Sequence, residues 1–309
     1  MQILFTGASS FTGYWFVREL CRGGHEVTAT FTKGPGSYTG LRKRRIDLMP
    51  SEVSPVFSCS FGSPAFMELL RSRDRWDVLC HHATDTTRYK EADFDYVRAI
   101  AQNTNHIDDV LKELAMRQCS KVILTGSVFE PGEGQGDPVL EAFSPYGVGK
   151  RSTADLFGYF ARRHGLSFGK FVIPNPFGPL EEERFTCYLM RSWLKGETAV
   201  VKTPAYVRDN IHVSALALAY SDFVGQGSSG RYARFNPSGY VESQKDFTLR
   251  VSREIAQRWK TPCPVEFLEQ KDFSEPLQRY NTDAVYERVS GWDEARAWDE
   301  MSDYYRGMK

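Results

Sequence analysis

The feature that most constrains the fold is a glycine-rich turn directly after a short apolar segment. Residues 1–5 read MQILF, and the chain continues as Thr6-Gly7-Ala8-Ser9-Ser10-Phe11-Thr12-Gly13, followed by a helical pattern from about Thr12 to Arg22. A strand, a glycine-rich turn and a helix in this order present backbone N–H groups to a phosphate at the helix N-terminus. The turn therefore predicts a phosphate site. The alternative is a tight turn between strand and helix that binds no ligand.

Strands and helices alternate through the first half of the chain. His25–Phe31, Trp76–His81 and Lys121–Leu124 are short β-rich runs, and residues 96–116 carry apolar side chains at helical spacing. This alternation predicts an α/β fold, a Rossmann-type doubly wound parallel sheet with helices on both faces. Ligands of such sheets bind at the carboxyl ends of the strands.

The pattern changes after about Phe171, where segments rich in proline and aromatic residues alternate with short helices. We therefore predict a Rossmann domain over 1–172 and a smaller C-terminal α/β lobe over 173–309 that binds substrate, with an approximate boundary and interleaved lobes. The glycine-rich stretch from Gly132 to Gly136 is predicted to be a surface loop above the sheet.

Charge and composition favour a small-molecule partner. The 309 residues include 39 lysines and arginines and 39 aspartates and glutamates, so no global field attracts nucleic acid or a membrane surface. The first residues lack the basic segment and the long apolar stretch of a signal peptide, and no apolar run approaches the roughly 20 residues of a membrane span. The six cysteines are scattered without metal-ligand spacing, which predicts reduced thiols, no metal site and a cytoplasmic location.

The end of the second strand bears on which dinucleotide binds. An acidic side chain there would accept hydrogen bonds from a ribose 2′-hydroxyl, but Phe31 stands at that position, followed by Thr32 and Lys33. A basic run, Arg42 to Arg45, lies nearby. These residues slightly favour NADP over NAD, because a 2′-phosphate would meet hydroxyl and cationic groups. The alternative for the basic run is a solvated helix face.

A tyrosine and a lysine lie four residues apart at the start of a later helix. In Tyr146-Gly147-Val148-Gly149-Lys150 this spacing places Lys150 one turn from Tyr146 on the same helix face. A nearby ammonium stabilises the phenolate and lowers the tyrosine pKa, so Tyr146 is a candidate general acid/base at a carbinol or carbonyl.

These motifs and their order resemble the extended short-chain dehydrogenase/reductase family, which includes sugar-nucleotide epimerases, dehydratases and ketoreductases. The resemblance covers nearly the whole chain. The matching segments are Thr6-Gly7 to Gly13, His81-His82-Ala83 for the family's H-x-A, Asn103, Thr125, Tyr146 with Lys150, Asn175-Pro176-Phe177-Gly178-Pro179 for N-x-Y-G-P, and Val207-Arg208-Asp209-Asn210-Ile211-His212-Val213 for R-D-x-I-H-V.

The resemblance implies a role for each matching residue. Thr125 would hydrogen-bond the reacting oxygen, Tyr146 would exchange its proton, and Lys150 would also hold the nicotinamide ribose. The candidate cofactor-binding residues are Gly7, Ser9, Ser10, Phe11, Thr12, Gly13, Thr32, Lys33, Ser60, Phe61, His81, Ala83, Asn103, Tyr146, Lys150 and Pro174. The candidate substrate-binding residues are Ser127, Asn175, Arg184 and Arg208. A homodimer through the helices carrying Asn103 and Tyr146 is also implied.

Departures from the family pattern narrow the activity. Gly126 and Ser127 stand where 4,6-dehydratases carry two acids, which argues against that elimination. Ser10 replaces the middle glycine of the turn, Ser60 stands at a typical adenine-binding aspartate, and Val172 stands where an arginine often precedes N-x-Y-G-P. We expect an NAD(P)-dependent 4-ketoreductase or 4-epimerase of a nucleotide-linked sugar. The alternatives are a reductase of a non-nucleotide carbonyl and a non-catalytic dinucleotide sensor.

Of the two histidines at 81 and 82, one is expected to face the core and the other the cofactor crevice.

Overall fold

A computed structural model describes residues 1–85, 89, 91–137, 139–226, 230–271, 273–287, 289 and 291–308. The chain forms two compact units, each built from three segments. Unit 1 comprises Met1–Glu133, Glu141–Ile173 and Tyr220–Phe235, and unit 2 comprises Gly134–Leu140, Pro174–Ala219 and Asn236–Lys309. Tyr220–Phe235, which lies beyond the expected boundary at 172/173, is thus part of unit 1.

The secondary structure elements follow in chain order. The strands are β1 (Gln2–Thr6), β2 (Glu26–Thr30), β3 (Ser54–Val56), β4 (Val78–His81), β5 (Lys121–Ser127), β6 (Gln135–Gly136), β7 (Ser167–Ile173), β8 (Asn175–Phe177), β9 (Ala199–Val201), β10 (Val207–His212), β11 (Tyr232–Phe235), β12 (Pro237–Ser238), β13 (Tyr240–Ser243), β14 (Val265–Phe267), β15 (Gln278–Tyr280) and β16 (Asp283–Ala284). The helices are α1 (Phe11–Arg22), α2 (Gly40–Asp47), α3 (Pro64–Arg71), α4 (Tyr96–Asn103), α5 (Ile107–Met116), α6 (Pro145–Arg163), α7 (Phe185–Leu194), α8 (Val213–Gly225), α9 (Gln244–Trp259) and α10 (Glu294–Arg306), with a 3₁₀ turn at Pro35–Ser37.

Unit 1 contains a seven-stranded sheet in the order β11-β7-β5-β4-β1-β2-β3, and its paired strands run parallel. On one face, Leu124 of β5 packs in a core with Leu111 of α5 and Phe157 of α6. On the other face, Phe16 of α1 stacks on Tyr220 with ring centroids 4.0 Å apart. Helices on both faces of a parallel sheet confirm the predicted doubly wound fold.

The apolar side chains at helical spacing over 96–116 lie on two helices, α4 and α5. α4 ends at Asn103 and α5 begins at Ile107, with His106 at a φ of 48° before the second helix. The chain between them approaches Gly62, where a Cβ would lie 1.8 Å from the carbonyl oxygen of Asn105. The break therefore depends on a close contact with a distant glycine, which helical periodicity does not reveal.

Unit 2 is built around β13-β10-β15-β6, with β8 also paired to β10. Part of the predicted loop from Gly132 to Gly136 is in fact strand β6, antiparallel to β15. Gly136 permits this pairing, because a Cβ there would lie 2.2 Å from the carbonyl oxygen of Gln278. The core of unit 2 packs Phe177, Phe247 and Trp298 together. Among the residues described, no helix combines the length and apolar character needed to cross a membrane.

Candidate active site

The glycine-rich turn joins β1 to α1 in unit 1. A Cβ on Gly7, whose φ is +84°, would lie 2.7 Å from the Ala83 backbone nitrogen, and one on Gly13 would lie 2.3 Å from the Gly7 carbonyl oxygen. Both positions therefore require glycine. Ser10 is the N-cap of α1, and its hydroxyl accepts from the Gly13 N–H at 3.1 Å and donates to the Gly7 carbonyl at 2.9 Å. The atypical serine is therefore accommodated by hydrogen bonds within the turn.

His82, which follows β4, contacts three hydroxyl groups in the interior of unit 1. Its Nε2 lies 3.0 Å from Thr12 Oγ1 and 3.1 Å from Ser10 Oγ, and its Nδ1 lies 2.9 Å from Thr125 Oγ1. Burial lowers the pKa of His82 to about 3, so the ring is neutral at physiological pH. Sequence reasoning missed this role. The only signal was a second histidine inside the H-x-A segment.

His81 faces the opposite side of the sheet. Its Nδ1 lies 3.0 Å from Thr6 Oγ1, and its ring packs against Phe61 and Phe157 with centroids 4.4 and 4.8 Å away. Burial lowers the pKa of His81 to about 3 as well. Both histidines are buried. The expectation that one would face the core holds for His81, whereas His82 lies within a polar network.

Tyr146 and Lys150 lie at the start of α6, which Ser144 caps and Pro145 begins. Lys150 is 5% exposed, and its Nζ donates to the Thr125 backbone carbonyl. Burial lowers the pKa of Lys150 to about 8. The half-buried Tyr146 ring lies 5.0 Å from the Tyr89 ring. The structure thus joins Lys150 to the strand end that carries Thr125.

Four further predicted site residues lie in unit 1. Asn103 is buried and donates from Nδ2 to Thr84 Oγ1 at 3.1 Å. The Ser127 hydroxyl accepts from the Phe129 N–H at 3.2 Å. Ser60 is exposed, whereas Phe61 is buried in the core.

The basic run lies on α2 and reaches the glycine-rich turn. Arg45 is fully buried and donates to the Ser9 carbonyl oxygen at 3.2 Å. Arg42 donates to Ser9 Oγ at 3.4 Å, whereas Lys43 forms an ion pair with Asp47. The alternative of a wholly solvated face is therefore wrong for Arg45. Of the predicted residues Thr32 and Lys33, Lys33 donates from its backbone N–H to the Tyr38 hydroxyl at 3.2 Å.

Three predicted substrate-binding residues lie in unit 2, as does the buried Pro174. Arg208 pairs with Glu275 at 2.9 Å, and its guanidinium lies 4.5 Å from the Tyr206 ring centroid. Asn175 donates to the Asp209 carbonyl oxygen at 3.3 Å.

Asp209, the residue after Arg208, has a structural role in unit 2. The Asp209 carboxylate accepts from the backbone N–H groups of Gly239 and Asn281 at 2.8 and 3.1 Å, so it ties loops together. Burial raises its pKa to about 6. Arg184 occupies the N-cap position of α7. Arg208, although adjacent to Asp209 in sequence, forms its ion pair with Glu275.

Solved structures with the same fold cover the whole chain. The UDP-glucuronic acid 4-epimerase of Bacillus cereus aligns with a TM-score of 0.77, 16% identity and 100% of both chains. The UDP-N-acetylglucosamine 4-epimerase of Methanobrevibacter ruminantium gives 0.74 and 15%, over 100% of this chain and 99% of the other. The UDP-glucose 4-epimerase of Thermus thermophilus gives 0.74 and 17%, over 100% of both. At these identities the likeness shows the fold alone.

A comparison of the sequence with family profiles identifies the family. A search of curated proteins found no match. The sequence profile of the NAD dependent epimerase/dehydratase family, however, matches residues 3–236, which is more than half of the chain. The resemblance stated from the motifs is thereby confirmed. The chain belongs to the NAD dependent epimerase/dehydratase family and is an enzyme of this extended short-chain dehydrogenase/reductase type.

Proposed function

We propose that the protein is an NAD(P)-dependent 4-epimerase or 4-ketoreductase that acts on a sugar carried by a nucleotide. The observation that carries this proposal is the hydrogen bond that Lys150 Nζ donates to the backbone carbonyl of Thr125 at the end of β5. Lys150 lies one helical turn from Tyr146 on α6. Structures with the same fold support the substrate class, since the B. cereus enzyme was solved with a UDP-linked fluoro-glucuronic acid and NAD.

The residues present fit a dinucleotide. Gly7 and Gly13 keep the turn free of side chains at two close backbone approaches, and the Ser10 hydroxyl is directed into the turn by its bonds to Gly7 and Gly13. The N-terminus of α1 supplies N–H groups and a favourable dipole for a pyrophosphate. When bound, the nicotinamide would donate or accept a hydride at the sugar carbon.

The chain's own residues would move the proton. Tyr146 would exchange its phenolic proton with the sugar oxygen, and the Lys150 ammonium would stabilise the phenolate form. The buried environment of Lys150 strengthens this electrostatic effect, because the surrounding dielectric is low. Arg208 of unit 2 would bind the diphosphate in exchange for its partner Glu275.

Substitution of Tyr146 tests the reaction. Tyr146→Phe removes the exchangeable proton, so we expect kcat for UDP-sugar turnover to fall about 10²–10⁴-fold. Tyr159→Phe is the matched control, because Tyr159 lies on the same helix and is 52% exposed. A kcat of Tyr146→Phe within threefold of that of the parent protein would contradict the proposed role of Tyr146 in proton transfer.

For the cofactor we propose NADP(H) over NAD(H), supported by Arg42 and Arg45 at Ser9. Arg42→Ala should weaken NADPH binding about tenfold, the size of one charge-assisted hydrogen bond, and leave NADH binding unchanged. Lys43→Ala, on the same helix but paired with Asp47, is the control. Equal loss for both dinucleotides in fluorescence titration would argue against a 2′-phosphate site here.

A reductase of a non-nucleotide carbonyl is the second candidate. It is favoured by Val172, fully buried where the family often has arginine, and by the existing Arg208–Glu275 pair. Turnover of simple ketones or aldehydes, with no response to UDP, GDP, CDP or dTDP, would select this candidate.

We also propose a homodimer through α4 and α6. Val97 of α4 and Val148 of α6 are exposed in the isolated chain, as residues at a shared surface would be. Sedimentation velocity should give a species of twice the chain's 35.2 kDa, and a single monomeric species would refute this.

A further inference from the structure

Two unusual residues of this chain are in contact. Ser10 replaces the middle glycine of the phosphate turn, and His82 is the central residue of the H-x-A segment. Their Oγ and Nε2 atoms lie 3.1 Å apart, although 72 residues separate them in sequence. The other ring nitrogen of His82 reaches Thr125 Oγ1 at 2.9 Å. One imidazole thus connects the turn that binds phosphate with the threonine proposed to act in the reaction.

The hydrogen bonds of Ser10 indicate how this imidazole is protonated. The Ser10 hydroxyl donates its only proton to the Gly7 carbonyl and accepts from the Gly13 N–H. We assign the tautomer that satisfies this contact, in which an Nε2–H donates to Ser10 Oγ and has Thr12 Oγ1, 3.0 Å away, as its second acceptor. In this assigned tautomer Nδ1 has a lone pair, and the Thr125 hydroxyl donates to it. In this tautomer the direction of the Thr125 hydroxyl is linked to the hydrogen bonds of the turn.

The surroundings of the ring restrict it to this arrangement. Phe16 and Phe5 pack against His82 with ring centroids 5.2 and 5.8 Å away. These aromatic rings offer no strong hydrogen-bonding group, so the three hydroxyls hold the ring nitrogens. A buried ring fixed in this way transmits a displacement at one end to the other.

We propose that His82 is a positioning residue that couples the phosphate turn to the Thr125 hydroxyl, so that dinucleotide binding and the orientation of this hydroxyl depend on each other. The role of Thr125 rests on the proposed function. The coupling between Ser10 and His82 rests only on the dinucleotide binding that the proposed function includes, and not on the sugar-nucleotide reaction.

Two amide substitutions separate the two ends of the ring. In His82→Asn the amide lies near the former Nδ1 and retains the bond to Thr125, whereas in His82→Gln it lies near the former Nε2 and retains the bonds to the turn. We expect His82→Asn to weaken NADPH binding at least fivefold with kcat within threefold of the parent protein. For His82→Gln we expect the reverse, a kcat at least tenfold lower and a dissociation constant within threefold.

Phe16→Leu is the control for general loss of packing, since Phe16 contacts the same ring without a polar group. It should lower the thermal unfolding midpoint without separating kcat from dinucleotide affinity. If both amide variants behave like Phe16→Leu, or change kcat and affinity in equal proportion, His82 only fills space and the proposal is overturned.

A double-mutant cycle measures the coupling without any substrate. NADPH dissociation constants are measured for the parent protein, Ser10→Gly, His82→Leu and the double variant. Coupling predicts that the double variant departs at least threefold from the product of the single effects. Multiplicative effects would refute the coupling even if the enzyme turns over sugar nucleotides. Failure of the parent protein to bind either dinucleotide would instead refute the proposed function, and the role of His82 with it.

Discussion

Two adjacent residues of β5, Thr125 and Gly126, face chemically different interiors on opposite sides of the same sheet. The Thr125 hydroxyl meets the neutral ring of His82. At Gly126, a Cβ would lie 2.8 Å from Lys170 Cε, and Lys170 in turn pairs with Glu130 and Glu133. One side therefore holds a neutral network of hydroxyls, and the other holds a buried ionic cluster.

The difference between the two sides shows how each can serve the site. In the ionic cluster the side chains of Lys170, Glu130 and Glu133 are each 4% exposed or less, and Arg234 supplies a second cation 3.6 Å from Glu133. Burial alone would lower the pKa of Lys170, but the two glutamates together raise it above its usual value. Such a cluster supports structure. The neutral network contains hydroxyls and an uncharged imidazole, which directional hydrogen bonds hold in place without any buried charge.

Removing the lysine should produce the largest effect. Lys170→Met leaves the buried Glu130 without its partner Lys170 and leaves Glu133 with the half-exposed Arg234, 3.6 Å away, so we expect the free energy of unfolding to fall by about 3–5 kcal/mol. Urea denaturation measures the loss. The matched control is Lys170→Met combined with Glu130→Gln and Glu133→Gln, which should recover most of the stability. A loss below about 1 kcal/mol would mean that the cluster is hydrated in solution.

Crowding the strand at the same point should have a smaller effect. Gly126→Ala places a Cβ against Lys170 Cε and 3.0 Å from Glu130 Oε1, so we expect a loss of about 1–3 kcal/mol. Gly225→Ala is the control, because a Cβ there meets nothing within 4 Å, and it should change stability by less than about 0.5 kcal/mol. Equal stability of the two variants would show that the ionic side accommodates a methyl group.

The elements near the phosphate turn could be predicted because their signals are local. The expected helix from Thr12 to Arg22 is observed as Phe11–Arg22, and the expected strand from His25 to Phe31 is observed as Glu26–Thr30. The break between α4 and α5 could not be predicted, since it depends on the approach of the chain to Gly62. β6 was missed for the same reason, because its partner β15 lies far away in sequence.

In the candidate site, too, some residues could be predicted from the sequence and others could not. Tyr146 and Lys150 are recognisable from helical spacing and from the family's motif order. The roles of His82 and Arg45 were not, because they depend on burial against residues about 35 or more positions away. A histidine just after a strand and an arginine in a basic run look ordinary until their tertiary partners are known.

Acid should destabilise the neutral side of β5. His82 has an ordinary pKa near 6.5 when unfolded and a pKa of about 3 when folded, so between these values only the unfolded chain takes up the proton. Stability is therefore lost as pH falls from 6.5 toward 3, by about 1.4 kcal/mol per pH unit for each such histidine. His82→Gln should lower the slope of unfolding free energy against pH by that amount. An unchanged slope would mean that the ring is accessible to protons in the folded protein.

Base should weaken dinucleotide binding through Lys150. Burial lowers its pKa from an ordinary 10.5 to about 8, so the ammonium is present below pH 8 and is lost as pH rises through that value. Because Lys150 is proposed to hold the nicotinamide ribose, NADPH affinity should fall about fivefold between pH 7 and pH 9, the size of one charge-assisted hydrogen bond. Lys150→Met should bind more weakly at pH 7 and show no such decline. Identical pH profiles for the two proteins would assign the titration to another group and leave Lys150 as a support for the Thr125 carbonyl.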